Sequence, residues 1–199
     1  MQQMTPSRWV QRWSHLVARD ARVLDEACGS GRHLRWFVER GCKVTGIDRD
    51  AEALRSLQGL AELPVCDIEA GPWPWPGRVF DAVIVTNYLW RPLLATCVES
   101  VAECGVLIFE TFAEGQQTIG KPSNPNFLLQ PAELLRAAQG LRVVAFEDGF
   151  EGGFEGGFEG GFEGGLSSAT GRFVQRLVAV REPATTGPAT LPPRHLLPP

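Results

Sequence analysis

Apolar residues recur along this chain in two rhythms that trade places every ten residues or so. A three- and four-residue spacing over 8–18, with Trp9, Trp13, Leu16 and Val17 on one stripe, predicts an amphipathic helix. The run VLDEA then reads as a strand over 21–26. A helix over 32–40 stops at Gly41 as its C-cap, and CKVTGID follows as a second strand. Asp50 caps a helix that reaches Gln58, and LPVCD is a short third strand. GPWPWPG is a loop, because its prolines and glycines suit no regular element.

VFDAVIVTN is almost continuously apolar, as a central parallel strand covered on both faces must be. A helix over 91–103 leads to another buried strand, GVLIFET. A long loop over 112–130 follows, and then a helix opened by Pro131 and closed by Gly140. LRVVAFED and RFVQRLVAV have no helix between them, so they form an antiparallel hairpin. The whole pattern predicts a doubly wound α/β fold around a seven-stranded sheet, mostly parallel, ending in that hairpin.

At 199 residues one domain is expected, spanning 1–182. Inside the last hairpin GFEG repeats in tandem within 149–165. It is either an expanded, idle hairpin loop or an apolar flap or self-association patch, since a period of four puts Phe150, Phe154, Phe158 and Phe162 on one face of an extended chain. The tail over 183–199, rich in proline, reads as disordered.

Composition narrows the chemistry. A hydrophobic content of 44% with 21% charged residues is that of a water-soluble globular protein, and no apolar run is long enough to span a bilayer. The amino-terminal MQQMTPSRWVQRWSH lacks the apolar centre of a secretion signal, which predicts a cytoplasmic protein. A formal charge of -4 supplies no basic footprint for nucleic acid. The five cysteines form no CxxC pair, so free thiols and no metal site are expected.

The candidate chemistry lies in DEACGSGRH. Gly29 and Gly31 stand between a buried strand and a helix start, where backbone N–H groups meet a negative ligand closely. Arg32 is either a salt-bridge donor to a ligand carboxylate or a solvated arginine. Asp48 ends the second strand, where a carboxylate accepts both hydroxyls of a ribose, and Asp50 is the better helix cap. A dinucleotide turn wants a third glycine where this chain has Leu34.

Taken together, VLDEACGSGRH, GIDRD, Cys66 with Asp67, and the strand ending VTNYLW resemble a class I S-adenosylmethionine-dependent methyltransferase, most similar to the small bacterial tellurite-resistance (TehB-like) group. The resemblance covers 8–182. It implies S-adenosyl-L-methionine as cofactor, with Asp25, Ala27, Gly29 and Gly31 as the floor under its methionine part. Asp48 would hold the ribose, Asp67 the adenine amino group and Ile68 the adenine edge. Asn87 would line the methyl-transfer site with Tyr88 and Leu89. Ala27 stands where many relatives have glycine. The DPPY or NPPY signature of nucleic-acid amino methylation is absent, since Thr86 to Leu89 read TNYL.

The function expected is methyl transfer to a small-molecule acceptor by a monomer or weak dimer. The alternatives are a non-catalytic S-adenosylmethionine or nucleoside-binding module and an NAD-dependent oxidoreductase. An open pocket beside Asn87 and Tyr88 separates the enzyme from the module. Tyr88 is the candidate to orient the acceptor by a hydrogen bond, since a phenol is a poor base at neutral pH. His33 is not expected to act as a base. Glu110 and Thr111 end the fifth strand at the sheet's ligand-binding edge, where Glu110 either touches substrate or caps the loop. Arg91, Asn126 and Phe127 are candidate substrate contacts in a lid-like loop. Trp9 and Trp13 are expected in the core, with closure of the site as the alternative.

Overall fold

A computed structural model describes residues 5–152, 171–184 and 195–198. Most of the GFEG repeat and the tail over 185–194 lie outside the described residues. The helices are α1 (Arg8–Trp13), α2 (Arg32–Glu39), α3 (Ala51–Arg55), α4 (Leu94–Glu99) and α5 (Glu133–Ala137). The strands are β1 (Arg22–Glu26), β2 (Lys43–Ile47), β3 (Phe80–Thr86), β4 (Val101–Phe112), β5 (Arg142–Gly152) and β6 (Gly171–Val180).

The strands form one sheet in the order β2-β1-β3-β4-β6-β5. The first four are mutually parallel, and β6 runs antiparallel to both β4 and β5. The period-two alternation of the strands divides the core between two faces. Val23, Ile84, Ile108 and Val178 pack against Trp9, Trp13, Leu34 and Phe37 of α1 and α2. Their neighbours Leu24, Val83, Val85, Leu107 and Leu177 pack on the other face with Cys97 and Leu134. Trp9 and Trp13 are therefore core residues, as expected.

Among the described residues the sheet has six strands rather than seven. LPVCD lies beside β2 but makes only isolated bridges, Thr45 to Glu62 and Asp48 to Val65. Glu62 N–H donates to the Val44 carbonyl and Cys66 N–H to that of Asp48, two strand steps either side of Pro64. Proline has no N–H for the bond that would link them, so the edge ladder breaks there.

Several helices are shorter than the periodicity predicts. Ser7 Oγ caps α1 by accepting from Trp9 N and Val10 N, and the helix gives way to a 3-10 turn over Ser14–Leu16. Ser14 Oγ donates to the Gln11 carbonyl at 2.8 Å, a local bond that competes with helix continuation. The helix expected to reach Glu103 stops at Glu99, and β4 starts at Val101. A register shift between Phe80 and Ala82, with Cys104 at φ 61, absorbs the early start.

Candidate functional site

The turn after β1 winds through three left-handed positions: Ala27 at φ 51, Gly29 at φ 53 and Gly31 at φ 78. At Gly31 the need for glycine is twofold, because a Cβ would also fall 2.5 Å from Leu57 Cδ1. Leu34 is fully buried where the dinucleotide turn has its glycine. The close approach of helix to strand is made instead by Gly46 of β2, whose Cβ would fall 2.7 Å from Leu34 Cδ1.

Asp48 ties this turn to the end of β2. Its Oδ2 accepts from Gly29 N at 2.7 Å and its Oδ1 from Asp50 N at 2.9 Å. Each carboxylate oxygen takes more than one hydrogen bond, so the pinned side chain keeps acceptor capacity for a pair of hydroxyls. Asp67 makes a similar turn, its Oδ1 accepting from Glu69 N at 2.9 Å and Ala70 N at 3.3 Å. Asp50 caps α3 as expected, through Glu52 N and Ala53 N.

These elements enclose a cavity of about 350 Å³ walled by Ala27, Asp48, Asp67, Ile68, Tyr88 and neighbours. A second cavity of about 450 Å³ is walled by Asn87, Tyr88, Leu89, Thr111, Phe112 and the loop from Lys121 to Asn124. Glu69, Tyr88 and Phe127 belong to both walls. Asn87 turns the chain after β3 at φ 54, a conformation asparagine tolerates, and its N–H donates to the Glu110 carbonyl at 2.9 Å. Tyr88 Oη is buried close to the Glu69 carboxylate. Burial first, then the nearby Glu69 carboxylate, raises its pKa above the ordinary phenol value, so it stays protonated.

Of the sequence candidates, Asp25, Gly29 and Gly31 line neither cavity. The two glycines shape the turn, and Asp25 lies buried beneath it. Desolvation pushes the Asp25 carboxyl up to about 7, opposed by a backbone bond from Leu34 and by Arg32, and its Oδ2 has no partner among the described residues. Arg32 is half-buried, and burial lowers its pKa against the pull of Glu110 and Asp25.

His33 is neutral. Its Nε2 accepts from Ser7 N at 3.0 Å, which leaves Nδ1 to donate to Thr86 Oγ1 at 3.1 Å, and burial followed by Arg32 lowers its pKa to about 3. Glu110 is on the wall of neither cavity. It is buried and held by Arg176 Nε at 2.6 Å, Arg172 Nη2 at 3.3 Å and Ser7 Oγ at 2.9 Å.

Arg91 is likewise on the wall of neither cavity. Its guanidinium pairs with Glu133 at 2.7 Å and 3.0 Å and donates to the carbonyls of Asn126 and Leu128 at 2.8 and 2.7 Å. It thereby straps the loop on either side of Phe127, and Asn126 contributes to the strap only through its backbone. Sequence reasoning missed Glu69 and Lys121. The one available signal was Asp67 two residues before Glu69, the spacing of a turn in which an aspartate accepts the N–H two residues on.

A second buried acid sits on the opposite face of β1 from Asp25. Glu26 accepts from Cys97 Sγ at 3.0 Å, and desolvation pushes its carboxyl up to about 7. The protonated form stabilises the fold fully below about pH 4.5, and that contribution is lost as pH rises through about 7. Glu26→Gln keeps the acceptor for Cys97 and removes the charge. Its melting temperature should match the wild type at pH 4 and exceed it by several degrees at pH 8; a constant difference across that range would show that Glu26 does not titrate as stated.

A model of the methyltransferase domain family matches residues 23–104, the segment that holds the turn, Asp48, Asp67 and Tyr88. Residues 23–104 are therefore similar in sequence to a methyltransferase domain. Among curated relatives of this domain, the malonyl-[acyl-carrier protein] O-methyltransferases of Enterobacter lignolyticus and Salmonella typhimurium are 31% and 30% identical. The alignments cover 62% and 61% of this chain and 55% and 54% of those proteins, so the chain spans about half the length of the relatives it matches. Among solved structures, TehB from Haemophilus influenzae superposes with a TM-score of 0.65 at 15% identity, over 85% of this chain and 60% of that one. A SAM-dependent methyltransferase from Archaeoglobus fulgidus gives 0.62 at 18% identity, over 87% and 90%. The residues present fit S-adenosylmethionine, since the 350 Å³ cavity has Asp48 and Asp67 on its wall, acceptors of the kind that an adenosine's hydroxyls and amino group need. Among the described residues no helix is long and apolar enough to cross a membrane.

Proposed function

We propose that this protein transfers a methyl group from S-adenosylmethionine to a small-molecule acceptor. The observation that carries the reading is the second cavity, open beside Asn87 and Tyr88 and sharing Glu69, Tyr88 and Phe127 with the first. A module that only held the cofactor would have no use for it. At about 450 Å³ it falls in the range of small-ligand sites.

In this reading Asp48 holds the ribose, Asp67 and Ile68 the adenine, and the turn from Ala27 to Gly31, with Asp25 beneath, the methionine part. When bound, S-adenosylmethionine would supply an electrophilic methyl group on a positive sulfur, with the neutral thioether as leaving group. The chain's own task is alignment and exclusion of water, and proximity of this kind is worth several kcal/mol. Asn87 and Tyr88 meet the acceptor, the latter as a hydrogen-bond donor. Leu34 and Gly46 speak against an NAD enzyme, since the packing they make departs from the dinucleotide turn.

Calorimetric titration tests this directly. S-adenosylhomocysteine should bind, and at about 100 times its dissociation constant should add roughly 2.7 kcal/mol of stability, several degrees in melting temperature. An acceptor panel of amines, thiols, carboxylic acids and soft anions should yield at least one methylated product. Tight binding of NAD with no response to S-adenosylhomocysteine would overturn the reading, and cofactor binding with no product from any acceptor class would favour the binding module.

A further inference from the structure

The second cavity has two charged side chains among its walls, one of each sign, and they stand in different places. Glu69 lies on the wall shared with the cofactor cavity, whereas Lys121 lines the acceptor cavity alone. Building on the proposed methyl transfer, we infer that the acceptor is a primary or secondary amine that also carries an anionic group, with its nitrogen at Glu69 and Tyr88 and its anion at Lys121.

Glu69 is set by its backbone. The turn closed by Asp67 Oδ1 on Glu69 N and Ala70 N fixes where the side chain leaves the chain. Tyr88 Oη is buried close to the Glu69 carboxylate, so a phenol donor and a carboxylate acceptor stand side by side for a ligand. An amine nitrogen suits both, because on arrival its N–H bonds point to the carboxylate and, once a proton has left, its lone pair accepts from the phenol. A carboxylate acceptor would instead bring like charge against Glu69.

Lys121 is held from behind. Gln116 Nε2 donates to its carbonyl at 3.1 Å, and Lys121 makes no ion pair among the described residues. Its ammonium is thus available to an anion at the far end of the ligand. Between the two charges the walls are largely apolar, with Leu89, Phe112, Pro122 and Phe127, which suits a hydrocarbon or aromatic spacer.

The proton balance gives Glu69 its chemical role. The amine arrives as an ammonium and gives one N–H proton through Glu69 to water; its freed lone pair then bonds to the methyl carbon while the carbon–sulfur electron pair stays on sulfur, and the nitrogen becomes a cation with N–H bonds. One of those protons passes to a Glu69 oxygen, leaving the N-methylamine and a carboxylic acid. Glu69 is half-buried at the cavity wall, so it returns the proton to water and regains its charge. Tyr88, protonated throughout, does not compete for that proton.

The test uses the full chain saturated with S-adenosylhomocysteine and three matched probes: 4-(aminomethyl)benzoate, 4-(hydroxymethyl)benzoate and benzylamine. The first should bind at least tenfold tighter than either of the others by calorimetry. Glu69→Gln should abolish the preference for amine over alcohol, and Lys121→Met the preference for the probe with a carboxylate. Both readouts are ratios at saturating S-adenosylhomocysteine, so a change in affinity for that ligand does not disturb them. Equal binding of amine and alcohol by the wild type, an unchanged ratio in Glu69→Gln, or no binding of any probe would overturn the inference. Failure of S-adenosylhomocysteine itself to bind would instead overturn the proposed methyl transfer.

Discussion

Asp48→Ala is expected to weaken binding of S-adenosylhomocysteine about 10- to 100-fold, a loss of roughly 1.5 to 3 kcal/mol. Part of the loss is direct, since a charged acceptor for two ribose hydroxyls disappears. Part is indirect, because the same carboxylate accepts from Gly29 N at 2.7 Å and Asp50 N at 2.9 Å and so holds the glycine turn against the end of β2. Asp48→Asn separates the two, keeping one oxygen to accept while losing the charge, and should fall between alanine and wild type. Calorimetry on variants that retain the wild-type circular dichroism spectrum would measure it. Unchanged affinity in Asp48→Ala would remove Asp48 from the cofactor site even with the fold as described.

The glycine turn and Asp48 were legible because their signals are local. A buried strand, two glycines, a helix start and a strand-end acid within twenty-six residues leave few other arrangements, and the structure adds a bond the pattern did not state, from Gly29 N to Asp48 Oδ2. The core was equally readable, since alternation along a strand assigns faces without knowledge of its partners. Val23 and Leu24, or Leu177 and Val178, part to opposite sides of the sheet as their order dictates.

What was not legible depended on partners far along the chain. Arg91 looks like a free cation near a ligand loop, but Glu133 and two loop carbonyls, 35 to 42 residues away, engage it fully. Glu110 ends a strand at the ligand edge, yet Arg172 and Arg176 arrive from β6 to bury it. Pro64 shows a different limit. The residues LPVCD have strand character, but whether a proline breaks a ladder depends on which N–H groups the register asks for. Glu69 escaped notice because it belongs to two cavities, and nothing local to it records the approach of Phe127 from the loop over 112–130.

The largest effect on stability is expected at Arg176. Its side chain, 10% exposed, pairs with Glu110 at 2.6 Å, Glu147 at 3.0 Å and Glu151 at 2.6 Å, and so joins the end of β4 to the hairpin of β5 and β6. Glu110 is 1% exposed and, without Arg176, would keep Arg172 Nη2 at 3.3 Å, Ser7 Oγ and the nearby charge of Arg32. Breaking a buried pair from one side costs more than the pair contributes, because the remaining charge is left in a medium that solvates it poorly. Arg176→Met, which preserves much of the hydrocarbon volume, should therefore lower the unfolding free energy by about 3 to 5 kcal/mol. Urea denaturation would measure this as a fall in midpoint at constant slope. Adding Glu110→Gln to Arg176→Met removes the stranded charge while leaving an acceptor for Ser7 Oγ, and should recover a substantial part of the loss. If Arg176→Met costs less than about 1 kcal/mol, or the double variant is less stable than the single, the cluster is not the anchor that fixes β6 beside β4.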